Sequence, residues 1–201
     1  MKEKKQKVGE IRKEEILNAA RKVFLEKGFA DTVMEDIISE TSLSRGGVYY
    51  HYKGKVDVLH DLMREGMAYR MVKMNEFMET YSDEVDKRAL AEMLVDRMLD
   101  DNELMRIYVI YLQAMKNNEE LKKLHSVLIQ ETLYSDYGGD INGTRLGDLK
   151  WNTAEFLIYF MNSIILGCEV LEARNNFLKN RNFFIKVMML YFDEYDEGEI
   201  K

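Results

Sequence analysis

The chain has 201 residues, a net charge of −7, no proline, one cysteine and a hydrophobic share of 46%. That share is enough for a sizeable core. The longest apolar stretch, residues 156–170, is broken by Asn162, Ser163 and Glu169 and is too short and polar to span a bilayer. The lone Cys168 excludes an intrachain disulfide and fits a reducing, cytoplasmic setting.

Few β-branched runs and abundant Leu, Met, Glu and Lys predict an all-α protein. The basic start, residues 1–7, leads into an amphipathic pattern instead of a signal sequence. A first helix is expected over about 8–27, where Ile16, Leu17, Ala20, Val23 and Phe24 recur at helical spacing and Gly28 closes it. Thr32 is read as the N-cap of a second helix reaching Ser39, and residues 40–43 as a tight break. Ser44 caps a third helix that stops near Lys53-Gly54. A fourth runs from Lys55 to about Thr80 and joins two domains rigidly, with Val58, Leu59, Leu62, Met63, Met67, Met71 and Met74 as its apolar stripe. Further helices are expected near 84–99, 102–116 and 119–136, with Asp83, Asp101 and Asn118 as polar starts. A loop rich in glycine covers 137–149, two apolar helices cover 150–175 and 178–194, and an acidic tail closes the chain.

Two short helices joined by a tight turn, the second carrying Arg45, Tyr49, Tyr50 and His51 with Lys55 beyond, outline a helix-turn-helix DNA reader. Charge placement agrees with this. Residues 1–60 hold 12 Lys and Arg against 10 Asp and Glu, whereas the remainder holds 17 against 26. An acidic body would keep DNA to the one basic face. Gly46-Gly47 costs roughly 1 kcal/mol per residue in helix propensity, a sacrifice that lets a backbone approach DNA closely.

Ile16-Leu17, Ala19-Ala20, Phe24, Glu26 to Phe29, Thr32, Asp36-Ile37 and Gly46 to Tyr52 with Lys55 resemble the N-terminal domain of the TetR family of bacterial transcriptional regulators. The resemblance spans residues 12–59. It implies a three-helix DNA-binding domain over residues 1–54 and a larger helical effector-binding and dimerisation domain over 55–201. It also implies a homodimer that represses from a palindromic operator. Carried over by position, Arg45 and Gly47 fall where side chains meet base edges, and Arg45 can pair with guanine O6 and N7. Ser44 and Gly46 belong to the same first turn. Tyr49, Tyr50, His51 and Lys55 fall at phosphate-clamping positions. Tyr52 falls where the family packs an aromatic against the first helix. Four positions depart from the pattern. Gly47 replaces a small hydroxyl or methyl residue. Val33 replaces a phosphate-binding Ser or Thr, whose role passes to Thr32. Glu35 stands where a basic, base-contacting residue is common, and Ser42 replaces the turn glycine.

The plain structural alternatives stand beside these. Tyr49 is as easily a core aromatic as a phosphate ligand, and Cys168 reads as a small core filler. No spacing of His, Cys, Asp or Glu suggests a metal site, and no cofactor is expected. No phosphate-binding loop, nucleophile elbow or paired-carboxylate signature argues for an enzyme.

In the C-terminal part the resemblance implies a small apolar or amphipathic effector. Met67, Met71, Met74, Tyr108, Tyr111, Met115, Trp151, Phe156, Tyr159 and Phe160 are the candidate lining. Glu155 or Glu169, facing a cavity, would favour a cation. Ser163 and Gly167 lie four apart and permit close helix approach, so Ser163, Ile164, Gly167, Leu171, Phe184, Met188 and Tyr191 are the expected dimer surface. The rival reading is a DNA-binding regulator whose C-terminal domain answers a protein partner.

Overall fold

The computed structural model describes residues 2–80, 86–134 and 151–196, with side chains from residue 7 except at 78, 129–134, 151–155 and 195–196. Every regular element among them is helical. They are α1 (Lys2–Asp31), α2 (Met34–Ser39), α3 (Arg45–His51), α4 (Lys55–Met78), α5 (Lys87–Leu99), α6 (Glu103–Met115), α7 (Glu119–Tyr134), α8 (Trp151–Val170), α9 (Arg174–Lys179) and α10 (Arg181–Asp196). The expected glycine-rich loop at 137–149 and the last residues of the acidic tail lie outside the described residues, as do Asp83 and the side chains of Trp151 and Glu155.

The described residues form two compact units. The first takes the chain up to Ala68 together with Arg106–Ile129. Its core is built from Ile16, Ala20, Val23 and Phe24 of α1, Ile37 of α2, Val48 of α3, and Val58, Leu59 and Leu62 of α4. Ile107, Tyr111, Leu121 and Leu128 from α6 and α7 join it. Burying each large aliphatic or aromatic side chain contributes about 1.5–3 kcal/mol, so the two short helices are held by packing and not by their own propensity. The unit is larger than residues 1–54 because the first half of α4 supplies part of its core.

Gly28 has φ 74° and ψ 171°, a backbone that L side chains rarely adopt. It does not end α1 as expected, since one further turn runs on to Asp31. The expected cap of α2 is also displaced by one residue. Val33 is the N-cap, and its N–H donates to Asp36 Oδ2 at 2.9 Å. Lys27 donates to the other oxygen of that carboxylate at 2.6 Å. The Lys27 bond, then the Val33 amide, hold the Asp36 carboxyl below its ordinary range.

The second unit takes Tyr69–Met105 and the described residues beyond 130. Its centre is α5, on which α8, α9 and α10 pack. Leu90, Ala91, Leu94, Val95, Met98 and Leu99 are buried along α5, a broad stripe at helical spacing. They share the core with Leu157, Met161, Ile165 and Cys168 of α8 and with Phe184, Ile185, Met188, Tyr191 and Phe192 of α10. Asp86 caps α5, its carboxylate accepting from Ala89 N–H. Asn102, one residue past the expected Asp101, caps α6 through Met105 N–H at 2.9 Å. Asn118 caps α7 as its sequence suggests, accepting from Leu121 N–H at 3.1 Å.

The single helix expected over 150–175 is two. It stops at Val170, Glu172 takes φ 53°, and α9 starts at Arg174. Arg174 closes this corner by donating to Leu99 O at 2.7 Å, to Asp100 O and to Glu169 Oε1. A Cβ on Gly167 would stand 2.9 Å from Cε2 of Phe177, so the glycine makes room for α9 within the chain. Gly167, Phe184, Met188 and Tyr191 therefore turn inward and are not the dimer surface expected of them. Periodicity marked them as apolar but could not say which of two apolar faces α5 would cover.

Candidate nucleic-acid interface

The turn between α2 and α3 is tied down by bonds within itself and to α1. Thr41 Oγ1 donates to Ile38 O at 2.9 Å and accepts from Leu43 N–H at 3.3 Å. Ser42 N–H donates to Glu15 of α1 at 2.5 Å, and that bond holds the Glu15 carboxyl below its ordinary range. Ser42 does not take a positive φ, so the missing turn glycine costs nothing. Ser44 caps α3 as expected, its Oγ accepting from Gly47 N–H at 3.2 Å. Val48 is the anchor of α3 and is fully buried.

With Val48 inward, the outer face of α3 carries Arg45, Gly46, Tyr49 and Tyr50, all exposed; Tyr50 reaches 84%. Nothing lies within 4 Å of a Cβ built on Gly46, and a Cβ on Gly47 would meet only ordinary contacts. Neither glycine has a left-handed φ. The protein's own packing therefore does not demand the glycines.

The Arg45 guanidinium is held from two sides. Its Nη2 stands 3.0 Å from Glu35 Oε1 of α2, and its carbon lies 5.5 Å from the centre of the Tyr49 ring. Tyr50 and His51 meet edge to face at 5.1 Å. Partial burial, then the positive charges of Lys13 and Arg12, push the His51 imidazole below its ordinary pKa. This brings Arg12 and Lys13 of α1 to the end of α3, a pair that the sequence reading passed over although the family-like segment begins there. Lys13 also lies 5.5 Å over the Tyr52 ring and 3.6 Å from Asp61.

Two expected phosphate ligands are engaged elsewhere. Thr32 is fully buried, and its hydroxyl donates to Gly28 O at 2.6 Å across the α1 kink. Lys55 donates all three of its protons, to Phe29 O at 2.7 Å, Ala30 O at 3.1 Å and Thr32 O at 2.6 Å. Its ammonium also lies 4.5 Å from the Phe29 ring centre. Lys55 is thus the cap of the frayed end of α1, whose last carbonyls have no partner in the helix. Tyr52 is 3% exposed and donates to Asp61 Oδ2 at 3.0 Å, a core residue as the sequence suggests.

The residues expected to line an effector site do not share one environment. Met67, Tyr108 and Met115 are half-buried against the core of the first unit. Tyr111 lies fully inside that core, donating to Leu121 O at 3.0 Å and stacking on His125, so it is packing and not lining. Met71, Met74 and Phe160 are half-buried in the second unit, and Phe156 and Tyr159 are exposed there. Glu169 is paired with Arg174 and caps no cavity. Cys168 is buried, and desolvation pushes its thiol pKa up, away from a reactive thiolate. Among the described residues no group of three His, Cys, Asp or Glu converges on a metal position, and no helix is long and apolar enough to cross a membrane.

A short capped helix set against a two-helix support, with every regular element among the described residues helical, has the form of a helix-turn-helix unit. Residues 16–62 match the family described as bacterial regulatory proteins, tetR family. It is 30% identical over 113 residues to the HTH-type transcriptional regulator YfiR of Bacillus subtilis, covering 56% of this chain and 55% of that protein. It is 27% identical over 110 residues to IcaR of Staphylococcus aureus, an HTH-type negative transcriptional regulator of the biofilm operon icaADBC, covering 54% and 56%. The chain spans about half the length of the curated relatives it matches. Salmonella enterica GusR shares the fold, with a TM-score of 0.63 at 16% identity over 90% of this chain and 94% of that one.

Proposed function

We propose that the protein is a dimeric, sequence-specific repressor, released from a palindromic operator by a small apolar or amphipathic effector. The observation that carries the reading is the outer face of α3. Arg45, Gly46, Tyr49 and Tyr50 are exposed there, and the glycine at 46 has open space around it that none of the described residues fills. A bare backbone flanked by a guanidinium and phenols suits a duplex groove, where the arginine meets base edges and the phenols meet phosphates. Ser44, Gly47 and His51 complete this surface. Thr32 and Lys55 support it from behind.

Residues 1–54 act as the reader and 55–201 as the effector-binding and dimerisation part. The apolar surface available for dimerisation is the outer side of α8 and α10. Phe156, Ser163 and Val170 repeat every seven residues on α8, with Tyr159 and Ile164 beside them, and Phe183 and Leu190 do the same on α10. Leu171, 75% exposed, extends it. Patches of this kind mark interaction sites. A two-fold axis there gives two copies of α3 and hence a palindromic site. Met71, Met74 and Phe160 are the soft apolar groups of the second unit suited to an effector. A ligand that prefers the non-binding arrangement lowers operator affinity by its differential affinity for the two states. The IcaR name supports repression over activation. A cytoplasmic location follows from the work proposed.

The test is titration of the purified protein onto duplexes selected from a randomised pool, at several salt concentrations, with and without a small-molecule library. Palindromic, salt-dependent binding relieved by a compound supports the reading. Sequence-specific binding that no compound relieves moves the signal to a protein partner.

A further inference from the structure

Resting on the DNA-binding reading above, we propose that Glu35 of α2 is a specificity-determining residue that acts by positioning Arg45 of α3. The carboxylate and guanidinium are the only oppositely charged groups that bridge the outer edges of α2 and α3 among the ion pairs described, with Nη2 to Oε1 at 3.0 Å. An acid beside a phosphate-facing surface is unfavourable by charge alone. Its place is explained by what it does to the arginine.

A guanidinium has five N–H donors in a rigid plane, and pairing with guanine O6 and N7 uses only one edge. Glu35, ion-paired to Nη2 at 3.0 Å, draws that edge of the plane toward α2 and so restricts its rotation. The Tyr49 ring, 5.5 Å below the guanidinium carbon, fixes its tilt. Arg45 is 70% exposed in its side chain, so without these two partners its long stem would sample many rotamers in water. The pair also carries no net charge. It therefore adds little to the general attraction for phosphate, which every sequence shares, and retains the directional contact, which only the right base satisfies. Two residues from different helices thus form one reading unit, and the second position reads through the first.

The experiment selects binding sites from a randomised duplex pool with the full-length wild type, Glu35→Gln, Arg45→Ala and the double variant. Affinities are then measured on the selected duplex and on duplexes changed at the position where Arg45→Ala loses its preference. Both side chains are exposed, and matching unfolding curves show that each variant folds. The expected result is a guanine preference at that position which falls about tenfold in Glu35→Gln. The double variant then loses no more than Arg45→Ala alone, because the two act as a unit. Affinity of Glu35→Gln for random duplex holds or rises. A uniform rise on all duplexes with the preference intact would show Glu35 to be a repulsive charge only and overturn the proposal. So would multiplicative losses in the double variant, or an Arg45→Ala protein whose selected sequence is unchanged. A wild type that enriches no sequence overturns the DNA reading itself, and the positioning role with it.

Discussion

Replacing Lys55 with methionine keeps the stem over Phe29 and removes the ammonium. Three carbonyls, those of Phe29, Ala30 and Thr32, then lose their donor at the end of α1. A hydrogen bond to a charged group contributes about 1.5–3 kcal/mol net, but this site is only half-buried and water can reach part of it. Discounting for that access leaves a loss of about 2–3 kcal/mol, against the ±0.5 kcal/mol usual for a surface lysine. For a chain of this size the loss lowers Tm by roughly 5–10 °C. Urea unfolding followed by circular dichroism measures the stability change, and DNA titration between low and moderate salt measures the charge contribution. The expected outcome is a clear loss of stability with the slope of log K against log salt unchanged. A stability change under about 0.5 kcal/mol with a slope reduced by about 0.9 would refute the reasoning, since that is the signature of one lost phosphate contact.

Gly46→Ala should stabilise the protein by up to about 1 kcal/mol, because its Cβ meets nothing, while DNA affinity falls; unfolding and titration measured together check this. Arg174→Met removes the partner of Glu169, whose side chain is 17% exposed, and uncaps α5, so a loss of about 3–5 kcal/mol is expected in equilibrium unfolding. Burial, then the charges of Lys13 and Arg12, hold the His51 imidazole below its ordinary pKa in the free protein, whereas a phosphate would favour its charged form. DNA affinity should therefore rise as pH falls from 8 to 6, and the pH dependence should flatten in His51→Gln. For the free protein the sign is opposite. Because its folded pKa is depressed, His51 contributes stability above its ordinary value of 6.5 that is lost as pH drops through the folded pKa.

The reading helix was legible because its signals are local. Ser44 before Arg45 is a cap written in two residues, Val48 is the apolar position that seats the helix, and Tyr52 follows it by one turn. The bonding of Lys55 and Thr32 is not legible in the sequence for the opposite reason. Their partners are the carbonyls of 28–32, and a chain's spare carbonyls depend on the kink at Gly28, which no periodicity announces. Glu35 looked like a liability until the fold brought Arg45 to it across the turn. On α8 and α10 the sequence shows apolar residues on more than one side. Only the packing of α5 decides that Met188 and Tyr191 go inward while Phe183 and Leu190 stay out. The break at 171–173 was hidden because Glu172 is not a glycine, although it takes a positive φ.

The central claim is that two copies of α3 read a palindrome. Selection of the full-length protein on a randomised duplex pool, followed by mass measurement of the complex, tests it most directly. An enriched inverted repeat is expected, with half-sites about one helical turn apart and two chains bound per duplex. Enrichment of a lone half-site by a single chain, or no enrichment above random duplex, would contradict it.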